Sequence, residues 1–325
     1  MIDNIFYFVL NMSITAGLIV IILLIIRGCF SRWIPKAAIY FLWGIVLFRL
    51  LVPISIPSEF SLLNLLSGYL TKTVAVSKGS EIIPNISTLN SIQAANSYFP
   101  LEYKSETLKT IFTVLGSVWI CGASIFVIAL IVMYNLTAAQ LKKAILIRDS
   151  SVLGRCSDRL SINSKVRLFE SGFVVSPIVF GILYPRIIIP KDVDKQSLEY
   201  VLLHELTHVE RRDNLWKMIS MFAVCIHWFN PLAWLFLYIA DQDMELACDA
   251  KVLKGMADED RRYYAEALVS LASRQRASLT AFGGTAVKQR VMNIVSYKRV
   301  SLIMAVITAM VYLTLALLLL TNPGL

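Results

Sequence analysis

Charged side chains are scarce in this chain, and histidines are scarcer still. Asp, Glu, Lys and Arg make up 16% of its 325 residues against 57% hydrophobic, with a mean hydropathy of +0.67. An average globular domain is about a quarter charged, so an ordinary water-soluble fold is excluded and a membrane protein is indicated. A disulfide framework is lacking too. Among the five cysteines, Cys29, Cys121 and Cys225 fall in or beside apolar runs. Cys156 and Cys248 fall in segments assigned below to the cytoplasm, where thiols stay reduced. Cys248 reads as a small packing residue. Because the chain has only three histidines, two of them set four residues apart are informative.

Long apolar runs account for the hydropathy. Residues 5–26 hold no charged side chain between Asp3 and Arg27, which is enough length to cross a bilayer. Residues 37–54, interrupted only by Arg49, residues 110–134 and residues 300–320 make three more. The first run follows an acid rather than a base, is too long, and precedes no A-x-A-like site, so it is expected to persist as a helix rather than be cleaved. Arg27, Arg32 and Lys36 crowd the link between the first two spans and place it in the cytoplasm. The loop 55–107 then lies outside and has no positive excess. The stretches 135–214 and 241–300 are rich in Lys and Arg, from Lys142 to Arg212 and from Lys251 to Arg299, and face the cytoplasm. The net charge of +9 follows from this layout. Basic residues are spread over membrane-proximal loops instead of one recognition helix, so no direct nucleic-acid partner is expected.

The segment 215–240 is apolar enough to span, yet His227, Asn230 and Pro231 interrupt its middle. A single crossing would put the basic stretch 241–300 outside and break the charge rule. A hairpin turning at Asn230-Pro231 avoids this, and Pro231 suits a turn because it would remove a bond from a continuous helix. The expectation is two helices dipping into or lying on the inner leaflet. The domain reading is then 1–54 for two spans and their basic link, 55–107 for the outer loop and 108–134 for the third span. Residues 135–299 form a cytoplasmic domain that includes the hairpin 215–240, and 300–321 form the fourth span.

His204-Glu205-Leu206-Thr207-His208 holds two of the three histidines at i and i+4. On a helix these share a face and can reach one zinc ion, with Glu205 beside it to take a proton from bound water. The flanks, with Lys191, Asp192, Asp194, Lys195 and Glu199 before and Glu210, Arg211, Arg212 and Asp213 after, are too charged for hydrocarbon. The site should sit at the cytoplasmic membrane surface. A catalytic zinc usually has three protein ligands and an open position. Glu245 is the candidate third ligand. Asp249, at i+4 from it, can accept the free ring N–H of a ligand histidine.

The set H-E-x-x-H (204–208), His-Trp-Phe-Asn-Pro-Leu-Ala-Trp (227–234) and Glu-Leu-Ala-Cys-Asp (245–249) resembles the BlaR/MecR-type membrane zinc metallopeptidases. The segments 174–182 and 185–190 also look like theirs, and the resemblance covers essentially the whole chain. Members couple extracellular β-lactam sensing to cytoplasmic proteolysis in Gram-positive bacteria. The resemblance implies zinc as cofactor, His204, His208 and Glu245 as its ligands and Glu205 as catalytic acid/base. The role of Asp249 is carried over from the wider zinc-peptidase pattern. The implied fold is a mainly α-helical integral membrane protein. It has four transmembrane helices, a gluzincin-like cytoplasmic domain with a small β-sheet, and the membrane-associated hairpin. N- and C-termini are expected outside the cell membrane. Implied partners are the bilayer and a cytoplasmic protein substrate, such as a transcriptional repressor or the chain itself; a homodimer is a further candidate.

Residues 165–190 have β character, and a small sheet there would offer an edge near Val179 to an extended substrate. The Arg-rich stretch 272–290, with Gly283-Gly284, follows an amphipathic helix at about 258–272 and reads as a flexible linker, the neighbourhood in which family members are associated with self-cleavage. The oxyanion donor is not identified by sequence. His227, Tyr263 and Tyr264 are candidates, with His227 reading first as a hydrogen-bonded pin of the hairpin. Sensor-transducer members carry a penicillin-binding domain after the fourth span. This sequence stops at Leu325 and its outer loop holds no Ser-x-x-Lys, so β-lactam acylation by it is not expected. The competing reading is a non-hydrolytic signalling scaffold that binds zinc structurally, with Cys248 as the one fourth ligand at hand.

Overall fold

A computed structural model describes residues 2–30, 34–53, 56–58, 106–148, 150–162, 166–191, 193–276, 283–297 and 302–323. Most of the expected outer loop lies outside the described residues. The chain forms two compact units, residues 1–129, 221–238 and 301–325 in one, and residues 130–220 and 239–300 in the other.

The first unit is built from α1 (Ile2–Phe30), α2 (Lys36–Leu51), the first part of α3 (Glu106–Leu141) and a late helix, α10 (Leu302–Leu320). Four spans were expected. Among the described residues two helices are long and apolar enough to cross a membrane, over Ile5–Phe30 and Thr110–Leu141. The second helix is short because the chain turns extended at Val52, before Pro53, which leaves 16 residues where about 20 are needed. On α3, Val118, Ile125, Ile128 and Met133 are 56–68% exposed, an apolar surface that suits lipid better than water. The three-residue strands β1 (Ile56–Ser58) and β6 (Thr321–Pro323) pair in parallel, so the far ends of α2 and α10 lie together.

The hairpin turns between α6 (Asp213–Ile226) and α7 (Pro231–Lys254). Asn230 caps α7, its side-chain oxygen accepting from Leu232 N–H at 2.9 Å, and Pro231 takes the first helical position, where a missing N–H costs nothing. The tip (221–238) belongs to the same compact unit as the span helices. Its polar groups find partners on the spans. His227 Nε2–H donates to the Leu50 carbonyl at 2.9 Å, Asn230 donates to the carbonyl and hydroxyl of Ser13, and Trp228 Nε1–H reaches the Trp119 carbonyl. Gly122 on α3 admits the Trp228 indole, since a Cβ there would lie 2.5–2.7 Å from three ring atoms. Ser13 is about 25 Å of helix from the end of α1, close to the thickness of bilayer hydrocarbon. The tip thus bonds to α1 about 25 Å from that helix's end. Arg49 is buried beside it and donates from Nε to Thr15 Oγ1 at 3.0 Å.

The second unit packs a four-stranded sheet against helices. The strands are β2 (Ile145–Ile147), β3 (Arg167–Ser171), β4 (Ile178–Phe180) and β5 (Arg186–Pro190), in the order β2-β3-β5-β4. The central pair is parallel, with Leu168 opposite Ile187, and the outer pairings are antiparallel. Val179 lies on the expected edge. Its outward carbonyl, however, accepts from the Asn214 side chain at 2.9 Å, as does that of Gly181 at 3.2 Å. The edge offered to a substrate strand is therefore partly occupied.

Leu168, Ile187, Leu202, Leu206, Leu253 and Ile294 form the centre of the core. Each contributes roughly 1.5–3 kcal/mol on burial, and Leu202 and Leu206 fix the rotation of α5 (Lys195–Arg211) against the sheet. A residue two places along stands ~200° round the helix, so the same packing turns His204 and His208 away from the sheet. α8 (Asp258–Arg276) and α9 (Gly283–Val295) complete the unit. Both ends of the stretch 272–290, expected as linker, are helical. Apolar Val287, Val291 and Ile294 recur at helical spacing, and glycine is tolerated where a helix begins. Residues 277–282 between them lie outside the described residues.

All five cysteines are free. Cys156, on α4 (Ser151–Arg159), is 1% exposed in the core, and burial pushes its thiol up to about 11. Iodoacetamide at pH 8 should therefore label it at least about 100-fold more slowly than an unfolded thiol; equally fast labelling would contradict this core.

Candidate metal centre

α5 begins at Asp194, whose carboxylate accepts from Ser197 N–H at 2.7 Å, and ends at Arg212, which adopts the left-handed conformation (φ 56°, ψ 37°). That break has a consequence for His208. In a continuous helix a residue five places on points about 140° away. Because α6 starts afresh at Asp213, its Oδ2 instead accepts from His208 Nδ1–H at 2.7 Å, with both side chains buried. His208 Nε2 is left with its lone pair outward.

His204 is fixed in the same sense from another side. Its Nδ1 is 2.9 Å from the Tyr264 hydroxyl and 3.2 Å from Asp249 Oδ1, and Tyr264 donates to Asp249 in turn. With Nδ1–H donated there, Nε2 also presents a lone pair. The two Nε2 atoms face each other at 3.1 Å. Glu245 completes the group from α7, Oε2 lying 3.2 Å from His204 Nε2 and Oε1 3.6 Å from His208 Nε2. The three side chains converge on one point. Ligand atoms at 2.0–2.1 Å from a tetrahedral centre are about 3.3 Å apart, so the spacing fits a single zinc.

Glu205 stands between the two histidines on α5 and is 8% exposed. Burial raises its carboxyl above the usual carboxylate range, against the opposing pull of both imidazoles, which suits a group that must both accept and return a proton. Cys248 is fully buried, and its sulfur falls with the histidine nitrogens in a group whose atoms lie within 4.8 Å of one another. Its polar contacts are to the His204 carbonyl at 3.5 Å, to His204 Nδ1 at 3.6 Å and to the His208 side chain.

Arg290 of α9 joins the cluster, which the sequence did not anticipate. Its Nε and one terminal nitrogen donate to the two Asp249 oxygens at 2.8 Å each, and Nη1 lies 3.1 Å from Glu245 Oε2. Burial opposes ionisation of Asp249 and Glu245, but Arg290 and the imidazoles outweigh it and hold both carboxyls below the usual range.

The sequence candidates His204, Glu205, His208, Glu245 and Asp249 are thus brought together. His227 Nε2–H is bonded to the Leu50 carbonyl, and Tyr263 is 44% exposed. Tyr264 lies against His204, its hydroxyl 2.9 Å from Nδ1. Asp213 and Arg290 were missed. Only the helix break at Arg212 brings Asp213 back to His208, and Arg290 stands 41 residues from Asp249 in a stretch that read as linker.

A family model described as BlaR1 peptidase M56 matches residues 7–303. The regulatory protein BlaR1 of Bacillus licheniformis is 30% identical over 228 residues, covering 66% of this chain and 38% of that protein. The methicillin resistance mecR1 protein of Staphylococcus aureus is 22% identical over 275 residues, 80% of this chain and 45% of its own length. The chain therefore matches under half the length of these relatives.

The Asp213 bond yields a direct test. Asp213→Ala should lower the affinity of the centre for zinc by about 10–100-fold, read by competition with a chromophoric chelator. Unchanged affinity would mean that His208 needs no such support.

Proposed function

The chain belongs to the M56 peptidase family, and on that premise we propose that it is a zinc-dependent metalloendopeptidase of the cell membrane acting in signal transduction. The observation that carries the reading is the triangle of His204 Nε2, His208 Nε2 and Glu245, 3.1–3.6 Å on its sides, with Glu205 beside it. His204, His208 and Glu245 would hold the metal, while Asp213 and the Tyr264–Asp249 pair orient the two imidazoles. When bound, zinc supplies a water of near-neutral pKa and a polarised carbonyl. Glu205 takes the proton of the attacking water as the C–O bond forms, then hands it to the amine nitrogen as the peptide C–N bond breaks. His227 acts in the other unit as the pin of the hairpin tip.

The proposed topology puts the N-terminus outside, the metal centre at the cytoplasmic membrane surface, and the C-terminal end of α10 outside. Two observations support it. Arg27, Arg32 and Lys36 flank the α1–α2 link, and the parallel β1–β6 pair sets the far ends of α2 and α10 side by side. The proposed substrates are a cytoplasmic repressor-type protein and the chain itself, within 273–290. The regulatory and resistance roles in the relatives' names are consistent with a signalling peptidase.

The placement of Cys248 favours one alternative, a closed structural zinc site in a non-hydrolytic scaffold. Two variants separate the readings in nanodiscs. Glu205→Ala should keep zinc but lose at least about 100-fold in proteolysis of partner and self, whereas Cys248→Ala should keep both. Equal activity in Glu205→Ala, or loss of zinc in Cys248→Ala, would favour the scaffold.

A further inference from the structure

Glu245 Oε2 is claimed twice. It lies 3.2 Å from His204 Nε2, on the side where a metal would bind, and 3.1 Å from Arg290 Nη1. Arg290 Nη2 is 3.2 Å and 3.4 Å from the two ring nitrogens of His204. Near-equal distances place it over the ring face and not along the Nε2 lone pair. The guanidinium therefore stands beside both of these proposed ligand atoms. A cation bound by His204, His208 and Glu245 would meet a full positive charge that shares one of its ligand atoms, in a site where screening is weak.

The attachment of α9 makes this consequential. Its C-terminal part is anchored in the core by Ile294, 2% exposed, and by the Tyr297 ring under Arg261 at 5.1 Å. Toward its N-terminus, Val287 and Lys288 line a gap beside α8. This gap of about 240 Å³ is lined also by Val269, Ala272 and Val291, and Met292 is 61% exposed. Arg290 sits between these parts. Its bonds to Asp249 and Glu245 are the polar contacts that draw α9 onto the centre.

We propose that Arg290 and the metal compete for Glu245, so that α9 is a metal-controlled latch: docked on the centre when the metal is absent and loosened at its N-terminal half when it is bound. The proposal rests on the zinc reading above. Binding linkage requires the two directions to agree. Metal must weaken the hold on α9, and removal of the Arg290 charge must strengthen metal binding by the same factor. The latch opens the side of the centre covered by α9 only in the loaded enzyme.

The test uses the full chain in nanodiscs with zinc alone as ligand. Amides of Lys288–Met292 should exchange hydrogen at least about tenfold faster in zinc-loaded than in chelator-stripped wild type. Arg290→Gln should bind zinc at least about tenfold more tightly in chelator competition and lose the zinc dependence of exchange, while Arg290→Lys, which keeps the charge, should stay near wild type. Amides around Ile294 report whether each variant keeps α9 folded. If zinc binds but exchange is unchanged or slower, the latch is overturned and the zinc site stands. Weaker zinc binding by folded Arg290→Gln also overturns it. A wild type that binds no zinc overturns both.

Discussion

The meeting of two histidine side chains of one helix with a glutamate of another is the contact on which the rest of the second unit depends. His204, His208 and Glu245 turn three acceptors toward one point, a costly arrangement for groups removed from water. It is held from outside. Asp213 fixes one imidazole, the Tyr264–Asp249 pair fixes the other, and Leu202 and Leu206 set the rotation of the helix that bears both. Side chains held in this way by buried partners have little freedom to move apart.

The two units satisfy buried polarity by different means. Among the span helices the tip of the hairpin bonds to backbone and hydroxyl groups, as at Leu50 and Ser13, and Arg49 reaches Thr15. Such bonds suit an apolar medium, where unsatisfied polar groups are expensive. Around the metal centre satisfaction comes from charge, with Arg290 set between Asp249 and Glu245. A long helix, α7, begins in the first unit with Pro231 and supplies Glu245 and Asp249 to the second. In an M56 peptidase this continuity makes the hairpin part of the same element that completes the donor set.

Much of the centre was legible in the sequence because helical periodicity is local. The i and i+4 spacings of His204 and His208, and of Glu245 and Asp249, are properties of single helices. Pro231 marked the turn for an equally local reason. What was not legible depends on where helices break or continue. Asp213 reaches His208 only because Arg212 takes a left-handed conformation, and that conformation is unusual for arginine. Gly283-Gly284 suggested a linker, yet they open the helix that delivers Arg290. The hairpin's carbonyl partners were not legible because they lie on helices far away in sequence. The brevity of α2 was missed because the apolar run continues through Val52 and Pro53 after the helix has ended.

The central claim is the identity of the donor set, and X-ray absorption at the zinc edge reads it directly. Zinc-loaded protein should show only nitrogen and oxygen neighbours at about 2.0–2.1 Å, from His204, His208, Glu245 and water. A sulfur neighbour at about 2.3 Å would place Cys248 on the metal and contradict the account.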